Sequence, residues 1–405
     1  MGERSFRFLF LARTVSLFGS AIAVGVLPFA VLDMRGGSAT VLGLVLGARS
    51  LAQVALLLFG GVLADRLPRF RLMVGSDLCA FGAQAIAAAL FITRAATPVE
   101  IITLSAVNGA AAALFLPASK GVVPQVVAGE RLQAANVLLR LSRNSTSIVG
   151  TALGGVLVMT IGSGWALAVD ASTFAISAAL LAGVRLAHSD RAAGSSVLTD
   201  LREGWREFSS RSWVWLVVLQ FTFVNGCFAA INVLGPLTAK QHMGGAPAWT
   251  TILAAQSAGL VGGSLVAARL RPRFPVRTAV TATFGFLPPF FLFAVGAPMW
   301  LVAASMLVNG VCVDIFEVLW DTALQLHIPN EALSRISSYD ALGSFVLGPW
   351  CLILVGSLSA LIGVQQTFLA AGALLTVMNL ATLASRSVRH LSSRRPGMTA
   401  PTLEL

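Results

Sequence analysis

The sequence predicts an all-α membrane protein, with twelve transmembrane helices in two pseudo-symmetric six-helix halves. Three observations predict it. The 405 residues are 56% hydrophobic and 11% charged, with a mean hydropathy of +0.83, whereas soluble domains carry about 25% charged residues. The apolar residues gather into runs of roughly 20, enough to cross hydrocarbon as a helix. A turn with paired glycines and basic residues at 60–71 recurs in worn form at 262–274, about half a chain later. Helices are required because backbone polar groups in hydrocarbon must be satisfied within the segment. The short alternating segments of a membrane barrel are absent.

The first span, 8–32, follows a basic start (Arg4, Arg7) with no small-residue cleavage site, so it reads as a retained helix. Arg35-Gly36-Gly37-Ser38 separates it from span two, 40–63. The basic turn leads to span three, 71–94, and Thr97-Pro98 opens span four, 98–119. An amphipathic segment, 122–141, leads to span five, 142–162, and Gly162-Ser163-Gly164 opens span six, 164–185. Residues 186–212 form a linker whose apolar positions 198, 201, 205 and 208 have helical spacing. That pattern suits either a helix lying on the membrane or an ordinary linker helix. Span seven, 213–238, ends before Gly244-Gly245-Ala246-Pro247, and spans eight and nine cover 249–269 and 276–296. Ala297-Pro298 opens span ten, 299–324, and the last two spans cover 338–361 and 364–385. Very short links make spans five/six, nine/ten and eleven/twelve antiparallel hairpins. The domains are therefore an N-terminal half, 1–185, the linker, 186–212, a C-terminal half, 213–386, and a polar, disordered tail, 387–405.

The basic residues set the orientation. With both termini in the cytoplasm, nearly all arginines fall at the cytoplasmic face. Arg35, Arg94 and Lys240 lie outside, and Arg13 and Arg49 lie within spans. The net charge of +11 is thus a topology signal, dispersed over short loops, and not a nucleic-acid surface. The four cysteines sit in apolar runs at unrelated spacings, which gives neither a disulfide framework nor a metal site. No phosphate-binding glycine loop and no histidine metal spacing occurs, so neither an enzyme nor a cofactor is expected. Only Lys120 and Lys240 are lysine, an arginine bias that suggests a high-GC bacterial source.

Twelve spans in two halves, with Gly61, Leu63, Ala64, Asp65, Arg66 and Arg69 after span two, resemble the major facilitator superfamily. Its motif reads Gly-x-Leu-Ala-Asp-Arg-x-Gly-Arg-Arg/Lys. Pro68 and Phe70 depart from it, and in the second copy Ala267 and Ala268 replace Asp65 and Arg66. The resemblance implies that Asp65 meets a helix N-terminus of the other half, near Ser337 and Ser338, and holds an outward-open state. A carboxylate is stabilised at such an end. Gly150-Thr151-Ala152-Leu153-Gly154-Gly155 resembles the Gly-Pro-x-x-Gly-Gly motif of proton-coupled exporters, with Thr151 in place of proline. Phe115-Leu116-Pro117-Ala118, Ala134-Ala135-Asn136 and the run from Trp320 to Gln325 are similar to the enterobactin-exporter and macrolide-efflux branch. The branch implies efflux of a small hydrophobic or amphiphilic compound driven by protons. Gly150, Gly154 and Gly155 have a second meaning, because small residues let helices approach closely in lipid.

Asp314, Glu317 and Asp321 lie within about 60° of one another on span ten. An acid near the bilayer centre costs about 2.5–3.5 kcal/mol and must meet water, a partner or a proton. Asp314 and Glu317 are the proton-coupling candidates, against structural pairing with cytoplasmic arginines. Asp321, nearer the membrane face, reads as such a pair. Arg49, with Gln53 one turn on, must face the bundle interior. It binds an anionic group or tunes a carboxylate, or else forms a fixed pair, with Asp77 nearer in depth than Asp33. Asn225 is a cavity candidate. Asn108, Asn144, Gln220, Asn232 and Gln256 either line a cavity or make interhelical hydrogen bonds of about 0.6 kcal/mol each.

The expected protein is a monomeric secondary transporter of the bacterial cytoplasmic membrane, exchanging a small molecule for protons by alternating access. A proton-coupled importer and a transporter-like sensor without flux are the alternatives.

Overall fold

The computed structural model describes residues 2–66, 68–127, 132–183, 205–328, 336, 339–340 and 342–391. Twelve helical stretches among them are long and apolar enough to cross a membrane. In the first half these are α1 (Gly2–Asp33), α2 (Ala39–Arg66), α3 (Arg69–Ile92), α4 (Pro98–Val126), α5 (Leu132–Ile161) and α6 (Ser163–Ala182). In the second half they are α7 (Ser212–His242), α8 (Ala246–Arg269), a broken ninth span, α11 (Met299–His327), an eleventh span ending in α12 (Gly348–Ile362), and α13 (Val364–Ala384). Large apolar side chains such as Val99, Met159, Trp300 and Leu361 stand exposed on these helices, as a lipid-facing surface requires.

Local chemistry sets the helix ends. Thr97 and Glu100 form a capping box before α4, with Thr97 N donating to Glu100 Oε2 at 3.0 Å. The α5/α6 hairpin turns on Gly162 at φ 82°, and the α12/α13 hairpin turns on Gly363 at φ 92°. Both lie in the left-handed region that glycine enters freely. The same device closes the last hairpin of each half.

Three expectations need correction. Helices α1, α4, α5 and α11 run past the spans read from hydropathy, because apolar content marks the hydrocarbon stretch and not the end of the helix. The paired glycines do not end their helices. Gly61, Asp65 and Arg66 lie in the last turns of α2, and Gly262 and Gly263 lie within α8. The ninth span is not one helix. It comprises α9 (Pro275–Ala282), a 3-10 turn (Thr283–Phe286) and α10 (Leu287–Ala294). Pro288 and Pro289 have no N–H to continue the α-helical ladder there.

The eleventh span is interrupted at 346–347, just before Gly348 and Pro349. The break frees carbonyls, and α7 supplies donors to them. Thr222 Oγ1 donates to Gly343 O at 2.7 Å, and Asn225 Nδ2 donates to Ser344 O at 2.9 Å. Elsewhere in the second half, Gln220 Nε2 donates to Thr283 Oγ1 at 3.0 Å and Asn379 Oδ1 at 2.6 Å.

The cores define how the halves meet. One large cluster joins α1, α2, α7, α8 and α12 across both halves, at the end opposite the termini. At the terminal end the clusters separate. Leu9, Phe70, Met73 and Val122 belong to a core of the first half. Trp213, Val276, Phe316 and Val388 belong to a core of the second. Phe208 joins the latter, and Trp205 and Phe208 pack on Tyr339 at ring distances of 5.7 and 5.8 Å. The linker positions 198 and 201, and the tail from 392, lie outside the described residues.

Candidate binding site between the two halves

Two seams bring the halves together. Along α2 and α12, Gly47 faces the Pro349 carbonyl, where a Cβ would lie 3.1 Å from the oxygen, and Gly356 faces the backbone of Ala39 and Thr40. Along α5 and α8, buried Thr250 is wedged between helices of the first half. A Cβ on Gly25 of α1 would lie 2.8 Å from Thr250 Cγ2, and one on Gly155 of α5 would overlap its Oγ1. Further along this seam, Ser147 Oγ and Ser257 Oγ share a 3.1 Å hydrogen bond. Gly150 and Gly154 of the glycine motif instead face α1, at Phe18, Ala21 and Ile22. The motif therefore packs α5 on its own half through two glycines and on the other half through the third.

At the rim opposite the termini, Lys240 Nζ of α7 lies 2.5 Å from Asp33 Oδ1 at the end of α1. It also donates to Leu32 O at 3.1 Å.

Below that closure is a cavity of about 180 Å³ between the halves. Arg49 of α2 lines it, with Asn232 of α7, Trp249 of α8 and apolar side chains such as Leu27 and Leu46. Arg49 also lines a second cavity, of about 150 Å³, inside the first half, with Arg13, Asp77, Asn108 and Ser119. It thus stands between an inter-half space and a polar pocket within one half.

The charge acting on Arg49 is Asp170 of α6, which the sequence reading passed over. Asp170 is 2% exposed, and its Oδ1 has no hydrogen-bond partner. Gly19 makes room for it, since a Cβ there would lie 2.7 Å from that oxygen. Asp77 instead accepts a 2.6 Å hydrogen bond from Ser177 Oγ. The signal for Asp170 is in the sequence, as the lone charged residue of its span.

The halves repeat one more contact. Val107-Asn108-Gly109 on α4 and Val308-Asn309-Gly310 on α11 occupy equivalent places. Gly109 abuts the Arg49 carbonyl, and Gly310 abuts the Gln256 carbonyl. In the second half the side chains join, with Gln256 Nε2 donating to Asn309 Oδ1 at 2.9 Å.

The other candidate residues are dispersed. Gln53 is half-buried on α2, one turn beyond Arg49. Asn225 spends its amide hydrogens on Phe221 O and Ser344 O, at 3.1 and 2.9 Å. Asp314 faces α8, where a Cβ on Gly263 would lie 2.8 Å from the Asp314 Cβ, and its Oδ2 is buried without a partner. Glu317 and Asp321 are exposed on the same helix. None of these three lines the 180 Å³ cavity. The side chains of Gly61, Asp65, Arg66 and Arg69, and residues Ser337 and Ser338, lie outside what the structure describes.

The eleventh span begins at Leu342 and not at 338; just outside it, burial pushes the Asp340 carboxyl up to about 6. Hydrogen bonds from Trp320 and Ser344 act against that rise, and Asp321 adds to it. The Trp320 Nε1–H donates to Asp340 Oδ2 at 3.1 Å.

The family described as a transmembrane secretion effector matches residues 1–403. The multidrug efflux pump Tap of Mycobacterium tuberculosis (strain ATCC 25618 / H37Rv) is 26% identical over 95% of this chain and 94% of its own. The enterobactin exporter EntS of Escherichia coli O9:H4 (strain HS) is 25% identical over 98% of this chain and 95% of its own. Among solved structures, a mutant of the nucleoside transporter NupG superposes with a TM-score of 0.78 at 14% identity, covering 94% of this chain and 99% of that one. An inward-facing, unoccupied bacterial homologue of the human lysosomal transporter Spinster gives 0.75 at 14% identity, covering 96% and 98%.

Proposed function

Because the chain belongs to the transmembrane secretion effector family of the major facilitator superfamily, we propose that it exports a small hydrophobic or amphiphilic molecule through the bacterial cytoplasmic membrane. Protons move in exchange, and the two halves rock about the cavity between them. The observation that carries this reading is the asymmetry of the interface. Thr250, Lys240 and Asp33 join the halves at one face, above a largely apolar cavity, while the cores at the other face stay separate. A carrier closed on one side of its site has that form. The dense arginines of the terminal face favour its placement in the cytoplasm. Relatives named as a multidrug efflux pump and an enterobactin exporter favour the outward direction.

In this reading Arg49 and Gln53 contact the cargo, and Asn225 positions the broken eleventh span beside it. Asp314 and Glu317 carry the coupling proton. Gly61, Asp65, Arg66 and Arg69 hold the outward-open state, and the protein works as a monomer. Everted membrane vesicles bathed in a fluorescent amphiphile test it. An imposed proton gradient drives uptake into the vesicles if the direction and coupling are right. Uptake only under the reverse gradient would make the protein an importer, and no flux under either would leave a sensor. Asp65→Ala is expected to slow transport without altering topology.

A further inference from the structure

We infer that the inter-half cavity takes the anionic or strongly hydrogen-bond-accepting end of an otherwise apolar small molecule, held between the Arg49 guanidinium and the Trp249 indole N–H. The inference names the cargo class of the site proposed above and rests on that reading.

Two residues of the cavity wall carry donors that no protein acceptor uses. Trp249 is 2% exposed, yet its Nε1 has no partner. Its ring has a fixed seat on α7, where a Cβ on Gly235 would lie 2.8 Å from Cη2. A buried N–H held in such a seat calls for an acceptor. Arg49 offers up to five N–H groups in a planar fork. Among the described residues no hydrogen bond engages them, and Asp170 acts on Arg49 only as a charge. Asp170 lies in the first half and does not line this cavity.

The rest of the wall points the same way. Among the described residues no carboxylate lines it, and Asn232 is the only other polar side chain there. Donors therefore outnumber acceptors on a surface otherwise built of Val24, Leu27, Pro28 and Leu253. A cationic cargo would face a guanidinium whose acid, Asp170, stands behind it and off this wall. The acids of α11 are not on this wall. The volume of about 180 Å³ is below the roughly 300 Å³ of a site for a drug-sized ligand. The cavity thus suits the polar head and first ring of a larger molecule. Arg49 belongs to the first half and Trp249 to the second, so one acceptor bound to both would bridge the halves.

The test uses three probes of one shape: 2-naphthoate, 2-naphthalenemethanol and 2-naphthylmethylammonium. Each is equilibrated by dialysis with the full chain in lipid nanodiscs, and binding to empty nanodiscs is subtracted. The wild type is expected to prefer the carboxylate over the ammonium by about tenfold, the ratio that one charge-assisted contact supports. Arg49→Gln abolishes the preference, and Arg49→Lys restores part of it. Trp249→Phe weakens the carboxylate and the alcohol by about threefold each, as the loss of one neutral donor does. The double variant Arg49→Gln with Asp170→Asn removes both buried charges together. It keeps the comparison valid if the single variant fails to fold. Equal or tighter binding of the ammonium, no binding of any probe, or an unchanged preference in the double variant overturns the inference. Export is read separately, as naphthoate flux from proteoliposomes. Arg49-dependent binding without flux would sink the export reading and leave the cargo class standing.

Discussion

Lys240 and Asp33 join the two halves across the rim opposite the termini, with Nζ and Oδ1 2.5 Å apart. The side chains are 38% and 55% exposed, so water screens the pair. Lys240→Gln should therefore loosen the closed rim only modestly. A loss of about 0.5 kcal/mol corresponds to roughly a twofold change in the closed-to-open ratio. Spin-label distances across the rim would report that shift. The charge-swapped double variant, Lys240→Asp with Asp33→Lys, is expected to restore the wild-type distribution.

Thr250 should matter more. It is fully enclosed by Gly25 and Gly155, with no room for a larger neighbour. Gly155→Val puts bulk where Thr250 sits, and overpacking of that kind costs about 1–3 kcal/mol. Cysteines replacing Ser147 and Ser257 should cross-link readily, because the native oxygens lie 3.1 Å apart. Adding Gly155→Val is expected to cut cross-linking severalfold. Undiminished cross-linking would mean that the wedge does not set the closure.

Asp314→Asn and Glu317→Gln test the coupling proposal. Each should abolish proton-driven flux while leaving the folded protein intact. Counterflow of labelled against unlabelled substrate needs no net proton movement and should survive. If pH-dependent flux persists in both variants, the coupling site lies elsewhere, with Asp170 and Asp77 next in line.

The Asp340 carboxyl gives a pH signature of its own. Its value is raised from 3.8 to about 6 in the fold. The folded state therefore binds the proton more tightly than the unfolded chain. Stability is greatest below the unfolded value and falls as pH rises through the folded one. The melting temperature should drop by roughly 2–4 °C between about pH 4 and pH 7. Asp340→Asn should flatten that slope and raise the melting temperature at neutral pH. An unaltered slope in the variant would assign the effect to other carboxylates.

Much of this architecture was legible because the bilayer imposes it. Long apolar runs had to become helices, and Gly162 and Gly363 had to be turns. The break at Pro288-Pro289 was legible in principle, but hydropathy averages over a missing N–H. The site was harder to read. Arg49 announced itself as a charge in a span. Its neighbour Asp170 lies on a helix four elements away, and no periodicity relates the two. Thr250 gave no signal, because its importance comes from three helices meeting at one point. Asn225 looked like a free cavity amide, and only the interrupted eleventh span explains where its hydrogens go.

The charges around the inner pocket have an electrical consequence. Arg13 and Arg49 stand against Asp77 and Asp170 within one half, so with both carboxylates ionised that half carries its buried charges as a balanced set. If the halves rock, the set crosses little of the membrane field as net charge, and the empty return step is nearly indifferent to voltage. A bound anion breaks the balance. Leaving a cell that is negative inside, it would gain about 2.3 kcal/mol per charge for each 100 mV. The membrane potential, and not the pH difference alone, would then help to power the loaded step.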